Sequence, residues 1–227
     1  MTAMAMTAAV MGQETPWSWN TTNMLNAVIP ANNPSGFANT MAVSGLTAAI
    51  SNVTVNLNIS GVNGYYNGDL YGYLAGPNGV FAVLLNRVGV NGSSQYGYSG
   101  SGFDITLNDS GSYNNVHYYQ TNSPVYNGSG QLTGIWASDG ENVDPQGNLV
   151  GSSPSTATLS SFTGDDANGT WTLFLADLSV AGQATVVSWS LDITTVPEPQ
   201  TWVLLTSGLM LFIFIGNRRG EIPSVNK

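Results

Sequence analysis

The chain has 227 residues and a formal net charge of −9 at pH 7, yet only 7% of its residues are charged. An ordinary soluble domain has roughly 25% charged residues, so this surface must consist mainly of neutral polar side chains. Between residues 13 and 196 the only basic residue is Arg87, which excludes nucleic-acid binding because phosphate contacts require clustered Lys or Arg. Cysteine is absent, which excludes disulfides and thiolate metal sites and is typical of an exported bacterial protein.

The first 39 residues contain no periodic pattern. Residues 1–12 are small and apolar and end in Val10-Met11-Gly12, which has the small-residue character of a signal-peptidase site. Because no basic residue precedes them, we interpret them as the distal part of a signal peptide that starts upstream. Residues 13–39 contain three prolines among Asn, Thr and Gly, which predicts a linker or a loosely attached arm.

From residue 40 to 195 the sequence is typical of β-structure. In residues 50–59, Val53, Val55, Leu57 and Ile59 alternate with polar residues, which predicts a strand with one buried face. Seven similar runs follow, separated by turns rich in Gly, Asn and Asp: 70–74, 80–85, 103–107, 116–119, 132–136, 170–176 and 186–193. Without any amphipathic helical pattern, this arrangement predicts an all-β fold, an antiparallel β-sandwich or jelly roll.

Residues 196–220 form a tail whose sequence pattern differs from the β-type pattern of residues 40–195. It contains, in order, Pro197-Glu198-Pro199, the uncharged apolar residues 201–216, and the pair Arg218 and Arg219. About 16 residues at 1.5 Å each give a helix of about 24 Å, slightly short of a hydrocarbon core of roughly 30 Å. We therefore predict one C-terminal transmembrane helix, and the arginine pair predicts that residues 221–227 are cytoplasmic and the β domain lies outside.

This order of motif, apolar segment and basic end resembles a PEP-CTERM sorting domain, with Pro197, Glu198 and Pro199 as the motif. The resemblance implies an exosortase as partner, which processes the protein near the motif in Gram-negative bacteria that typically make exopolysaccharide. It also implies only transient insertion in the inner membrane, followed by release to the cell surface or the extracellular space, much as a GPI signal is removed.

The β region carries a second set of ordered elements near its two ends. These are Gly68-Asp69-Leu70 with Leu74, Gly76-Pro77-Asn78-Gly79, Leu84-Leu85, Phe162, Gly164, Asn168-Gly169, Thr170-Trp171-Thr172-Leu173, Asp177 and Ser188-Trp189-Ser190-Leu191. Their order is similar to that of the P (Homo B) domain that follows the catalytic domain of proprotein convertases. The resemblance spans roughly residues 40–193 and implies an eight-stranded jelly roll that stabilises a neighbouring subtilisin-like protease.

The sequence offers no catalytic constellation. His117 is the single histidine of the chain, and no Asp, His and Ser occur in the surroundings that a subtilisin-type nucleophile requires. His117 alternates with its neighbours in a predicted strand, so we interpret it as a structural residue. We expect the protein not to be an enzyme.

Two acidic loops are candidate calcium sites, because calcium prefers oxygen ligands. One contains Asp139, Glu141 and Asp144, and the other contains Asp165 and Asp166. Neither has EF-hand spacing, and acidic surface turns are the alternative interpretation. We expect no other cofactor.

Three functions are compatible with these patterns. The first is an exported, non-catalytic protein of the cell surface or extracellular matrix that an exosortase sorts and processes. The second is a carbohydrate-binding module of the exopolysaccharide matrix, suggested by Tyr65, Tyr66, Tyr71, Tyr73, Tyr96 and Tyr98. The third is an accessory module associated with a subtilisin-like serine endopeptidase, which only the P-domain resemblance suggests.

Overall fold

The computed structural model describes residues 18–196, and their side chains from residue 21 onward. Within this range the chain forms ten strands: β1 (Ser18–Ile29), β2 (Phe37–Val43), β3 (Ile50–Val62), β4 (Leu70–Ala75), β5 (Phe81–Asn86), β6 (Gly102–Asn108), β7 (Val125–Tyr126), β8 (Leu132–Trp136), β9 (Gly169–Asp177) and β10 (Gln183–Thr195). The predictions of an all-β fold and of seven of the eight strands are confirmed.

The strands form two sheets that share one hydrophobic core. The larger sheet has the order β1-β10-β3-β6-β8-β7, and the smaller has the order β2-β9-β4-β5. One pair departs from the predicted antiparallel arrangement, because β6 and β8 are parallel. A long connection carries the chain from the end of β6 back to the start of β8, and such a crossover permits parallel pairing where a tight hairpin would not.

The core consists of alternate residues from both sheets. On β3 the predicted inward residues are all buried: Val53, Val55, Leu57 and Ile59. The tryptophans Trp171 on β9 and Trp189 on β10 are among the largest buried side chains and belong to the same core cluster. Burial of apolar area between the sheets is the main stabilising contribution to such a fold.

The predicted linker at residues 13–39 is wrong from Ser18 onward. Strand β1 pairs with β10, and β2 pairs with β9. Exposure alternates from Thr21 to Ile29, but the inward positions include polar residues, and the register shifts between Met24 and Ala27. Polar residues on the inner face and a bulge interrupt the alternation of apolar and polar residues on which strand prediction depends.

The predicted strand at residues 116–119 is also wrong, because Val116–Thr121 forms a 3-10 helix. The Oδ1 atom of Asn115 accepts a hydrogen bond of 2.7 Å from the main-chain N–H of His117 at the start of this helix. Two more 3-10 helices, Asn67–Asp69 and Leu159–Phe162, interrupt the β-structure.

Among the described residues, no helix has the length and apolar character needed to cross a membrane. The predicted transmembrane helix at 201–216 lies outside the described residues, so it stays a prediction.

The assignment of β1 to the folded domain is testable with two neighbouring residues. Ile29 is fully buried, whereas Val28 is 49% exposed on the opposite face of the same strand. We expect Ile29→Ala to lower the free energy of unfolding by about 2–5 kcal/mol, because it leaves a cavity in the core. Val28→Ala should change it by less than about 0.5 kcal/mol. Urea denaturation of the full chain measures both, and equal small effects would mean that this segment is an unattached arm.

Candidate functional site

Residues 139–157 cover the outer edge of β5 and so determine where the first acidic loop lies. Main-chain N–H groups of Asp139 and Gly140 donate to the carbonyls of Leu84 and Val83, at 3.2 and 2.9 Å, and the carbonyl of Ala157 accepts from Val83 at 2.8 Å. An uncovered edge strand would expose these groups for pairing with other chains. The alternative interpretation of this loop as an acidic surface turn is wrong for Asp139 and Glu141, because both are buried, at 0% and 2% exposure.

His117 is held between two acceptors. Its Nδ1 atom lies 2.8 Å from Oδ2 of Asp139, and its Nε2 atom lies 3.0 Å from the carbonyl oxygen of Val90. A carbonyl and a carboxylate both accept, so this geometry requires a proton on each ring nitrogen. Burial alone lowers the pKa of His117, but the hydrogen bond and the charge of Asp139 outweigh it and raise the pKa above its ordinary value. His117 and Asp139 therefore form a buried ion pair.

The ligand atoms of His117, Asp139 and Glu141 lie within 4.8 Å of one another, which is compatible with metal ligation by distance alone. The chemistry is unfavourable, because a histidine that donates from both nitrogens has no lone pair for a metal. Oε2 of Glu141 accepts from the N–H of Gly151 at 2.7 Å, and burial raises its pKa. We interpret these three side chains as a structural network.

The remaining calcium candidates belong to no group of three or more carboxylate or histidine ligands within the part of the chain that the structure describes. Asp144 is exposed and accepts from the N–H of Gln146 at 2.9 Å. Asp166 is exposed, and its Oδ1 accepts from the main chain and the side chain of Asn168, which lowers its pKa. Asp165 is half-buried, and its Oδ2 atom has no hydrogen-bond partner.

A cluster that sequence reasoning missed lies where β4 begins and β9 ends. It consists of the buried residues Asp69 and Asp177. The N–H of Ser179 donates to Oδ1 of Asp177 at 3.0 Å, and the side chain of Ser179 lowers the pKa of Asp69. Leu70 pairs with Asp177 across the two strands. Both aspartates stood in the P-domain-like elements, but nothing local in the sequence indicated that they meet.

The carboxylates of this Asp69–Asp177 cluster are held in an unusual electrostatic environment. Burial, and then the charge of Asp69, raise the pKa of Asp177 to about 6. Burial also raises the pKa of Asp69 and outweighs the lowering by Arg87. Oδ2 of Asp177 and the hydroxyl of Tyr65 are buried and have no hydrogen-bond partner. Burial and both carboxylates raise the pKa of that hydroxyl well above its ordinary value.

The outer face of the smaller sheet carries a row of four aromatic rings. Tyr71 and Tyr73 on β4, Phe174 on β9 and Phe81 on β5 are half-buried and alternate with core residues. Tyr73 and Phe174 are stacked, with ring centroids 4.8 Å apart, and Phe81 meets Tyr73 edge-on at 6.2 Å. We call these four residues the aromatic row.

The other tyrosines that suggested carbohydrate binding lie elsewhere. Tyr65 is buried, and Tyr98 packs edge-on against Tyr119 at 4.9 Å. Tyr66 and Tyr96 are exposed, at 39% and 64%. Only two of the six predicted tyrosines therefore belong to the aromatic row.

The sorting motif Pro197, Glu198 and Pro199 and the orienting pair Arg218 and Arg219 lie outside the described residues. Their roles stay predictions.

No protein-family model matches the chain, and no curated protein matches it significantly. Among solved structures it is similar to the complex of the Aeromonas sobria serine protease with a chaperone (TM-score 0.45, 14% identity, 82% of this chain and 28% of that chain). It is also similar to the serine protease of Aeromonas sobria in a second crystal structure (TM-score 0.44, 13% identity, 82% and 28%). The chain spans less than a third of those chains. A likeness at this level carries no argument, so the protease-associated alternative stays a prediction.

The ion pair predicts a specific pH dependence. The folded-state pKa of His117 is raised above 6.5, so its stabilisation is complete below that pH and is lost as the pH rises through the folded-state pKa. We expect His117→Gln to lower the free energy of unfolding by about 3 kcal/mol near pH 5.5, because it leaves a buried carboxylate unpaired. This difference from the wild type should shrink as the pH rises from 5.5 through the folded-state pKa of His117, because the imidazole then loses its charge.

Urea denaturation of the full chain across this pH range measures the difference. Gln120→Ala, an exposed change in the same 3-10 helix, is the control and should show no such trend. A His117→Gln effect that is constant with pH would contradict the ion pair.

Proposed function

We propose that this chain is an exported, non-catalytic protein of the bacterial cell surface or extracellular matrix, delivered by its C-terminal tail and processed by an exosortase. The observation that carries this proposal is the tail itself, in which the Pro197-Glu198-Pro199 motif, an apolar segment and an arginine pair follow one another. A non-catalytic role is supported by the chain's single histidine, which is buried and bonded at both ring nitrogens. A histidine acts as a general base only through a ring nitrogen that is within reach of a substrate. The jelly-roll topology implied by the P-domain resemblance belongs to the same proposal.

The tail contains separate signals for processing, membrane insertion and orientation, and each can be removed by its own substitutions. Replacing Pro197, Glu198 and Pro199 with alanine should leave membrane insertion intact, because the apolar segment is unchanged, but should block processing. Full-length protein should then accumulate in the inner membrane. Arg218→Glu with Arg219→Glu should instead disturb orientation, because the positive-inside bias is lost.

The measurement is the mature C-terminus by mass spectrometry in a host that carries an exosortase. Released protein that still contains residues 202–219 would mean that the tail is an ordinary anchor and that the sorting proposal is wrong.

A second function is favoured by a specific observation, the aromatic row. We propose that the row binds a neutral polysaccharide of the matrix. Aromatic side chains in a sheet usually pack against the core, but these four rings lie on the face opposite to the core. A sugar ring offers apolar C–H faces that pack on aromatic surface, and its hydroxyls need hydrogen-bonding groups at the rim.

The surroundings of the row supply such groups. Burial and Tyr73, and then the charges of Asp139 and Asp144, raise the pKa of Tyr71, so the negative charge of the exposed Asp144 acts on this end of the row. A carboxylate accepts hydrogen bonds from sugar hydroxyls. Thr40 and Thr172, paired across β2 and β9, add hydroxyls on the adjoining strands.

Substitutions of two tyrosines distinguish binding at the aromatic row from non-specific binding of polysaccharide. Tyr73→Ala should remove the stacked contact with Phe174 and weaken polysaccharide binding at least about tenfold, corresponding to about 1.4 kcal/mol. Tyr96→Ala, at an exposed position outside the row, should bind like the wild type.

Affinity electrophoresis of the full chain in gels containing neutral exopolysaccharide measures retardation for each variant. Equal retardation of both variants, or none for the wild type, would exclude the row as a binding surface.

A further inference from the structure

The Asp69–Asp177 cluster contains negative charge that the described neighbours only partly compensate. Asp69 receives the N–H of Tyr66 on Oδ2 at 3.1 Å, and Asp177 receives the N–H of Ser179 on Oδ1. Arg87 is the nearest cationic residue in sequence, but its guanidinium donates to main-chain carbonyls, including those of Gly68 and Gln95 at 3.1 and 2.9 Å. Two buried carboxylates whose charges act on each other are costly unless a proton or a cation neutralises them.

The atoms without a hydrogen-bond partner distinguish neutralisation by a proton from neutralisation by a cation. A proton on Oδ2 of Asp177 would be a buried O–H donor, yet no acceptor lies within hydrogen-bond distance of that atom. A water molecule between Asp177 and Tyr65 would satisfy the hydrogen bonds but would leave the charge uncompensated. A cation both compensates the charge and coordinates the unpartnered oxygen.

Independent evidence for a ligand comes from Tyr65. This side chain is only 4% exposed, and its hydroxyl has no partner although it lies within electrostatic range of both carboxylates. Buried tyrosine hydroxyls usually find a partner. The cluster therefore combines two carboxylates with a third buried oxygen that is unsatisfied.

The frame around these oxygens is already fixed by the main chain. The carbonyl of Asp69 accepts from the N–H of Leu178 at 2.9 Å, and that of Asp177 accepts from the N–H of Asn33 at 3.0 Å. Main-chain N–H groups also position the carboxylates, that of Ser179 for Asp177 and that of Tyr66 for Asp69. A bound ion would therefore require little rearrangement of the backbone.

We propose that the Asp69–Asp177 cluster is a calcium site, with the two carboxylates as the charged ligands and the hydroxyl of Tyr65 beside them. All donors are oxygens, which favours a hard cation over zinc or copper. Calcium accepts irregular oxygen sites, whereas magnesium requires near-octahedral geometry. The site is distinct from the acidic loops at residues 139–144 and 165–166.

The test uses the full chain and calcium alone. Titration calorimetry should find one calcium ion per chain, and a calcium concentration about a hundredfold above Kd should raise Tm by about 5–10 °C relative to excess chelator. Asp177→Asn keeps the shape and the acceptor for Ser179 but removes the charge, so it should abolish both effects. In chelator this variant should melt at or above the wild type, because an uncompensated charge has been removed.

Asp144→Asn and Asp165→Asn are the matched controls, because they remove carboxylates from the other acidic loops. Both should bind calcium as the wild type does. If Asp177→Asn does not fold, calcium binding by Asp69→Asn and by the wild type tests the proposal instead. The proposal is overturned by a wild-type chain whose Tm is the same in chelator and in calcium. It is also overturned if calcium binding survives in Asp69→Asn or Asp177→Asn but is lost in Asp144→Asn or Asp165→Asn.

Discussion

The layer of apolar side chains between the two sheets is the constraint on which the other features depend. Strand β10 pairs with β1 along one side and with β3 along the other, so it is held over almost its whole length. Its inward Trp189 is buried and still satisfies its indole N–H, which donates to Oδ1 of Asn39 on β2 at 2.8 Å. This hydrogen bond links the two sheets, and a second one from Asn23 on β1 reaches the same oxygen of Asn39.

Scarcity of basic side chains determines how the buried carboxylates are satisfied. The half-buried Asp109 accepts from the main-chain N–H and hydroxyl of Ser138 at 2.8 and 2.6 Å and from the N–H of Leu159 at 2.6 Å, so amides and a hydroxyl replace a salt bridge. Asp139 uses the one histidine. Charge-assisted hydrogen bonds of this kind are roughly twice as strong as neutral ones. Asp177 obtains one such donor, on Oδ1, and its buried Oδ2 has no hydrogen-bond partner.

The strands were predictable where the inner face is apolar and the period is uninterrupted, as on β3. They were not predictable on β1, where Asn23 lies inward and bonds to Asn39 at 2.8 Å instead of packing as an apolar residue. The four-residue run that begins at Val116 is too short for its period to separate a strand from a 3-10 turn. The pairs His117 with Asp139 and Asp69 with Asp177 depend on contacts between distant segments, and no local pattern encodes such contacts.

Strands β4 and β9 carry three of the four rings of the aromatic row and border the Asp69–Asp177 cluster, so a change in the pairing of these strands would affect both. Strand β4 begins directly after Asp69 and carries Tyr73, and β9 carries Phe174 and ends at Asp177. In the ladder between them, Tyr73 pairs with Phe174, and Leu70 pairs with Asp177 three positions away. Repulsion between the carboxylates would separate the ladder at its end, whereas a shared cation would hold it together. Neutralising the charge of the cluster would therefore stabilise the register that stacks the two rings. Binding at the aromatic row would then depend on whether the cluster is neutralised.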